Sequence, residues 1–154
     1  MNGPSVHLTW LELACHDPDR TPYPLEWWFN RGSTLGVVFE RFRLVCGNHP
    51  ITIGSAYRTP RWNRAQGGAS RSRHVSGQAL DLYPPRFAQL RPGLTTLEAF
   101  HAAARVFALA EPIVGGLGLY TWGVHLDTRR RTHGRLVVWN RVETGTMMHD
   151  TSTV

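Results

Sequence analysis

The segment His74-Val75-Ser76-Gly77-Gln78-Ala79-Leu80-Asp81, followed much later by Val124-His125-Leu126-Asp127, supplies two imidazoles and a carboxylate in a spacing suited to zinc. Three protein ligands with a fourth position left open to water distinguish a catalytic zinc site from a closed structural one. Such a site makes a usable hydroxide near neutral pH. His74 and Asp81 lie too far apart for one face of a short strand. The expectation is that Gly77 lets the chain turn and return as a strand over Gln78 to Tyr83. Side chains alternate faces along a strand. Ala79, Asp81 and Tyr83 then point one way and Leu80 and Leu82 the other, so the carboxylate need not share the leucines' environment. A His and an Asp at this spacing also occur as a plain hydrogen-bonded pair or as solvated surface, and the spacing by itself leaves those readings open.

Positioning these residues is the work of one domain. A chain of 154 residues is long enough for a core that needs no disulfide or metal to hold it. Its composition, 42% hydrophobic with six Trp, excludes a disordered chain. No apolar run approaches the ~20 residues that span a bilayer. The opening Met1-Asn2-Gly3-Pro4-Ser5 has no basic start and no apolar stretch. A protein made in the cytoplasm without a signal peptide is therefore expected. The net charge of +6 comes entirely from arginine on the basic side and attracts polyanions. The arginines cluster between Arg58 and Arg73 and at Arg129 to Arg131, in no recognisable nucleic-acid-binding motif. They read mainly as surface bias, and no specific nucleic-acid partner is expected. Cys15 and Cys46 belong to no CxxC pair, which speaks against a sulfur zinc site and for two reduced, partly buried thiols.

Thr9-Trp10-Leu11-Glu12 has the capping-box pattern and opens a short helix. Asp17 to Pro24 reads as loop. From about Leu35 the residues Leu35, Val38, Phe39, Phe42 and Val45 recur at helical spacing, predicting a core helix that ends near Gly47. Ile51 to Ala56 suits a strand. Tyr57 to Arg73 reads as a functional loop carrying one short helix around Trp62-Asn63-Arg64. A second capping box, Thr95-Thr96-Leu97-Glu98, opens a helix through Phe100, Ala104, Phe107 and Ala108. Short β-like runs follow at 118–121, 124–128 and 136–139, and the polar tail 144–154 is expected to fray. His101 reads as a packing or surface histidine of the second long helix, and the remaining histidines as surface. The sum is one α+β domain over 1–154, with helices packed on a small antiparallel sheet.

Several ordered motifs then coincide: Ser55-Ala56-Tyr57-Arg58-Thr59-Pro60, Asn63, Gly67-Gly68-Ala69, Ser72-Arg73-His74, Gly77 and Asp81, with Gly115-Gly116-Leu117-Gly118-Leu119-Tyr120, Val124 to Arg129 and Trp139 downstream. This series resembles the zinc D,D-peptidase family, peptidase family M15, whose members trim or cut peptidoglycan peptides. The later motifs and Leu11 to Cys15 are similar to its murein-peptidase branch. The resemblance implies a hedgehog/D,D-peptidase-like fold, one zinc ion, and His74, Asp81 and His125 as its ligands. It makes Arg58 a cleft arginine that would hold a substrate carboxylate or stabilise an oxyanion. Its simpler alternative is to pin the Gly-rich loop.

Many relatives place an acid or a His shortly before the last zinc histidine, but Trp122 and Gly123 stand there in this chain. The nearest carboxylate is Asp127, two residues beyond His125 and on the same strand face. It would serve as the proton carrier or would orient the histidine. Glu12, Asp17 and Asp19 are further acids that could fold over the site. The implied function is zinc-dependent hydrolysis of D-amino-acid-containing stem peptides or cross-links, by a monomer acting at the cell wall, as in a phage endolysin or virion-associated lysin. The rival is a non-catalytic zinc-containing wall-binding or virion module.

Overall fold

A computed structural model of the chain describes residues 2–85 and 93–142. The predicted polar tail 144–154 lies outside the described residues. Helices α1 (Trp10–Leu13), α2 (Ser33–Val45), α3 (Pro60–Ala65) and α4 (Thr96–Ala110) accompany strands β1 (Thr52–Ser55), β2 (Ala79–Tyr83), β3 (Gly116–Tyr120), β4 (Gly123–Asp127) and β5 (Val137–Asn140). The strands form a sheet in the order β1-β2-β4-β3-β5, so the α+β expectation holds.

Both capping boxes form. Thr9 accepts from the Glu12 amide while the Glu12 carboxylate takes the Thr9 amide at 2.8 Å, and Thr95 and Glu98 repeat the exchange at the start of α4. Each satisfies donors that a helix start otherwise leaves unpaired. Helix α2 buries Leu35, Val38, Phe39 and Phe42 of the predicted stripe, whereas Val45, in its last position, is exposed. It begins two residues before Leu35, after a 3-10 turn at Leu25–Trp27 and a π-helical turn at Trp28–Gly32. The wide turn carries Trp28 onto Trp10, where the two indoles stack at 4.3 Å.

The core lies between α2, α4 and one face of the sheet. Phe42 packs against Phe100 and Phe107, each at 5.3 Å between ring centres. Leu80, Leu82, Leu117, Leu119, Val124 and Leu126 cover these rings from the sheet side. The alternation predicted for β2 is observed: Leu80 and Leu82 are fully buried in this core, and Asp81 points to the opposite face. His101 of α4 sets its Nε2 against the carbonyls of Tyr120 and Gly123, at 2.9 and 3.1 Å, and so ties the β3–β4 turn to the helix.

One expectation is corrected. The sheet is mixed, because β5 runs parallel to β3. The chain leaves β4 at the end where β3 begins, since Asp127 pairs with Gly116. Arg131 then anchors it there through the carbonyls of Val114, Ala108 and Glu111. A strand added from that end beside β3 must share its direction.

Cys15 and Cys46 are free and fully buried. Burial pushes the Cys46 thiol up to about 12 from 9.0. The folded state keeps this proton where the unfolded chain loses it. The associated stability is complete below pH 9.0 and is lost as the pH rises toward about 12. At pH 8, a thiol reagent should therefore leave Cys46 unmodified in the native protein and label it only at the rate of unfolding. Prompt labelling of native protein would contradict the burial.

Candidate metal centre

The face of the sheet turned away from the core carries a cross-strand row. Ser55 of β1 stands beside Asp81 of β2, Asp81 beside His125 of β4, His125 beside Gly118 of β3, and Gly118 beside Trp139 of β5. Directly opposed residues have Cβ atoms about 5 Å apart, so the register alone sets Asp81 against His125. His74 comes from outside the sheet. Its loop turns at Gly77, whose φ of +67° suits a residue without Cβ.

The three side chains converge, and their ligand atoms lie within 4.8 Å of one another, all buried. Asp81 Oδ1 sits 2.9 Å from His125 Nδ1 and 3.1 Å from His74 Nε2. His74 Nδ1 lies 2.6 Å from the Ala56 carbonyl. A carbonyl only accepts, so Nδ1 carries the proton and a neutral His74 presents a lone pair at Nε2. That nitrogen is buried and makes no hydrogen bond. Two electron-pair donors facing each other at 3.1 Å in a buried site call for a cation between them. Tetrahedral zinc with bonds of about 2.0 to 2.1 Å needs ligand atoms roughly 3.3 Å apart, close to the spacings found. The nitrogen and oxygen donors also match zinc chemistry, so these residues fit the group.

The outer contacts are equally specific. His125 Nε2, on the side of the ring away from Asp81, meets Asp127 Oδ2 at 2.9 Å. Arg129 grips the same carboxylate through Nε at 2.7 Å and Nη2 at 2.5 Å. Arg58 is buried; it donates to Ser55 Oγ at 3.1 Å, and at 3.4 Å to both Asn63 Oδ1 and Asp81 Oδ2. Burial alone would raise the Asp81 carboxyl, but positive charge beside it, on His74 and His125 when no ion is bound, overrides it and holds the group well below the usual carboxylate range. For Asp127, burial is likewise outweighed, here by Arg129 and His125.

Two glycines make room. A Cβ on Gly118 would come within 2.5 Å of the Trp139 indole, and one on Gly116 would collide with the Asp127 carboxylate. Their absence of side chains lets Trp139 lean across β3 to within 5.2 Å of the His125 ring. It also lets Asp127 lie flat over the strand.

His74, Asp81, His125, Asp127 and Arg58 are therefore brought together. Arg129, read with its cluster as surface, is buried at 7% exposure, and Arg58 at 4%. Glu12 and Asp17 are engaged locally, in the α1 cap and on Thr21. The clamp of Arg129 on Asp127 was not anticipated, although alternate positions 125, 127 and 129 carry its signal. The Ala56 carbonyl has no sequence signal at all.

A family model described as Peptidase M15 matches residues 29–106, just over half of the chain. The chain belongs to the peptidase M15 family. It is accordingly a peptidase, and the family is in general zinc-dependent, in keeping with a cluster that could bind one metal ion. The match includes Arg58, His74 and Asp81; His125 and Asp127 lie beyond it and join the centre through the β2–β4 register. No curated protein matches the chain. Among the described residues no helix is long and apolar enough to cross a membrane.

Proposed function

We propose that this peptidase hydrolyses D-amino-acid-containing peptides of peptidoglycan in a zinc-dependent reaction, acting at the cell wall in the manner of a phage lysin. The observation that carries the reading is the convergence of His74 Nε2, His125 Nδ1 and Asp81 Oδ1 in one buried cluster, with His74 Nε2 lacking any hydrogen bond. His74, Asp81 and His125 would hold the ion, which when bound supplies Lewis acidity that polarises a peptide carbonyl and acidifies water.

The protein's own groups then have separable roles. Ala56 holds the His74 tautomer through Nδ1. Asp127, whose two oxygens are occupied by Arg129 and His125 Nε2, turns the His125 ring so that Nδ1 faces the cluster. Both oxygens are committed, and the contact is on the far side of the ring, which supports orientation and not proton transfer. Arg58 positions Asp81 through Oδ2. A guanidinium has five N–H donors and Arg58 spends three on the protein; the others are available to a substrate carboxylate or a developing oxyanion.

One observation favours the non-catalytic wall-binding module: both oxygens of Asp81 and both of Asp127 are already engaged. Incubation with purified peptidoglycan separates the two readings. Muropeptide products that vanish with a chelator and return with zinc are expected. Sedimentation with the wall but intact substrate under every metal condition would favour the module.

A further inference from the structure

Beyond the ends of β2 and β4 lies a pocket of about 380 Å³ with Arg31, Arg129, Arg130, Arg131, Gln78 and Thr128 in its lining and, among the described residues, no Asp or Glu. The four guanidinium groups differ in how their charge is met. Arg129 is neutralised by Asp127. Among the described residues Arg131 donates to backbone carbonyls, those of Ala108, Glu111 and Val114 about the end of α4 and that of Gly134. Arg31 donates to the Ser76 carbonyl at 2.9 Å and lies over the Trp27 ring at 4.4 Å. Arg130 is exposed. Among the described residues none of Arg31, Arg130 and Arg131 forms an ion pair with a carboxylate. Three like charges gathered around one concavity repel one another, and an anion placed among them relieves that repulsion. Guanidinium groups suit an oxyanion because their paired N–H donors match two oxygens.

The pocket adjoins the metal centre. Thr128 donates its amide to the Gln78 carbonyl at 3.0 Å, three residues along β2 and β4 from the opposed pair Asp81 and His125. At about 3.3 Å per residue this is about 10 Å, or roughly three residues of an extended peptide. Arg129 belongs to both places, lining the pocket and clamping the Asp127 that holds His125.

We propose that this pocket is a subsite for a carboxylate of an acidic peptide substrate, carried about three residues from the bond that is cut. The inference rests on the peptidase reading for its substrate, and its test reads binding separately from turnover. The probes are a peptidoglycan stem peptide with free carboxylates and the same peptide with those carboxylates amidated. Binding of each to the zinc-loaded protein is followed by fluorescence anisotropy, and hydrolysis in parallel.

Arg130→Glu should weaken binding of the free-carboxylate peptide about tenfold and leave the amidated peptide within about twofold. KM should rise with kcat retained. Arg105→Glu, the same charge change on an exposed position of α4, should leave both peptides unaffected. Equal losses for the two peptides, equal losses in the two variants, or no loss in Arg130→Glu would each overturn the subsite. Wild-type protein that discriminates the peptides by binding, loses this in Arg130→Glu, and cleaves neither would retain the subsite and refute the proposed hydrolysis of peptidoglycan.

Discussion

Replacing His74 with alanine is expected to abolish stoichiometric zinc binding and to lower peptidoglycan hydrolysis on the order of a thousandfold. Loss of a supporting partner beyond the ligands costs about 10- to 100-fold, and a ligand should cost more. The reason is local. His74 Nε2 is the one ligand nitrogen with no hydrogen bond in the protein, while its Nδ1 is fixed on the Ala56 carbonyl. The imidazole is held for one purpose, and no neighbour can replace it. Wild-type protein should also unfold at a higher temperature with zinc than after chelation, because a ligand bound only by the native state stabilises that state by mass action. In His74→Ala this zinc-dependent increment should disappear. Metal content by elemental analysis, thermal unfolding and muropeptide release report on the three effects. Full zinc occupancy in the variant would refute the ligand assignment whatever the activity showed.

Asp127 yields the second large effect, and its two substitutions should differ. In Asp127→Ala the Arg129 guanidinium, 7% exposed, loses the carboxylate that it clamps through Nε and Nη2. Breaking a buried pair from one side costs about 3–5 kcal/mol. Asp127→Asn keeps the shape and an acceptor for His125 Nε2, and should spare much of that loss. Both should weaken zinc binding by about 10- to 100-fold, the range for a carboxylate that orients a ligand histidine. Chelator competition measures the affinity and denaturant unfolding the stability. If Asp127→Asn bound zinc with wild-type affinity yet lost turnover, the orienting role would be wrong and proton transfer by Asp127 would be restored.

Much of the scaffold was legible because it depends on local rules. The pairs Thr9 with Glu12 and Thr95 with Glu98 cap their own helices, and three-residue spacing announces them. The stripe from Leu35 to Phe42 and the alternation about Asp81 follow from helix and strand periodicity. What escaped depends on long-range placement. The direction of β5 was set by Arg131 pinning the chain to carbonyls of Ala108, Glu111 and Val114. The π-helical turn at Trp28 accompanies a stack with Trp10, eighteen residues earlier in the chain. Arg129 looked like surface charge because arginine commonly is, and its burial follows from the Asp127 carboxylate that the sheet carries to it. Similarly, the trio of His74, Asp81 and His125 was readable as residue types, whereas the tautomer of His74 is set by a main-chain oxygen.

The register of β2 on β4 has a consequence for the order in which the molecule is built. Asp81 faces His125 because Ala79 pairs with Asp127 and Leu82 with Val124. A slip of one residue would send the carboxylate into the leucine layer and the leucines outward. The two partners stand forty-four positions apart in the chain, with all of α4 between them. Closing so long a loop is among the slower events of folding. A nascent chain can bring His74 and Asp81 near each other early, but the third donor arrives only once the sheet has zipped in its final alignment. Zinc capture would then mark the last step of assembly, and a misaligned chain would be unable to hold the ion.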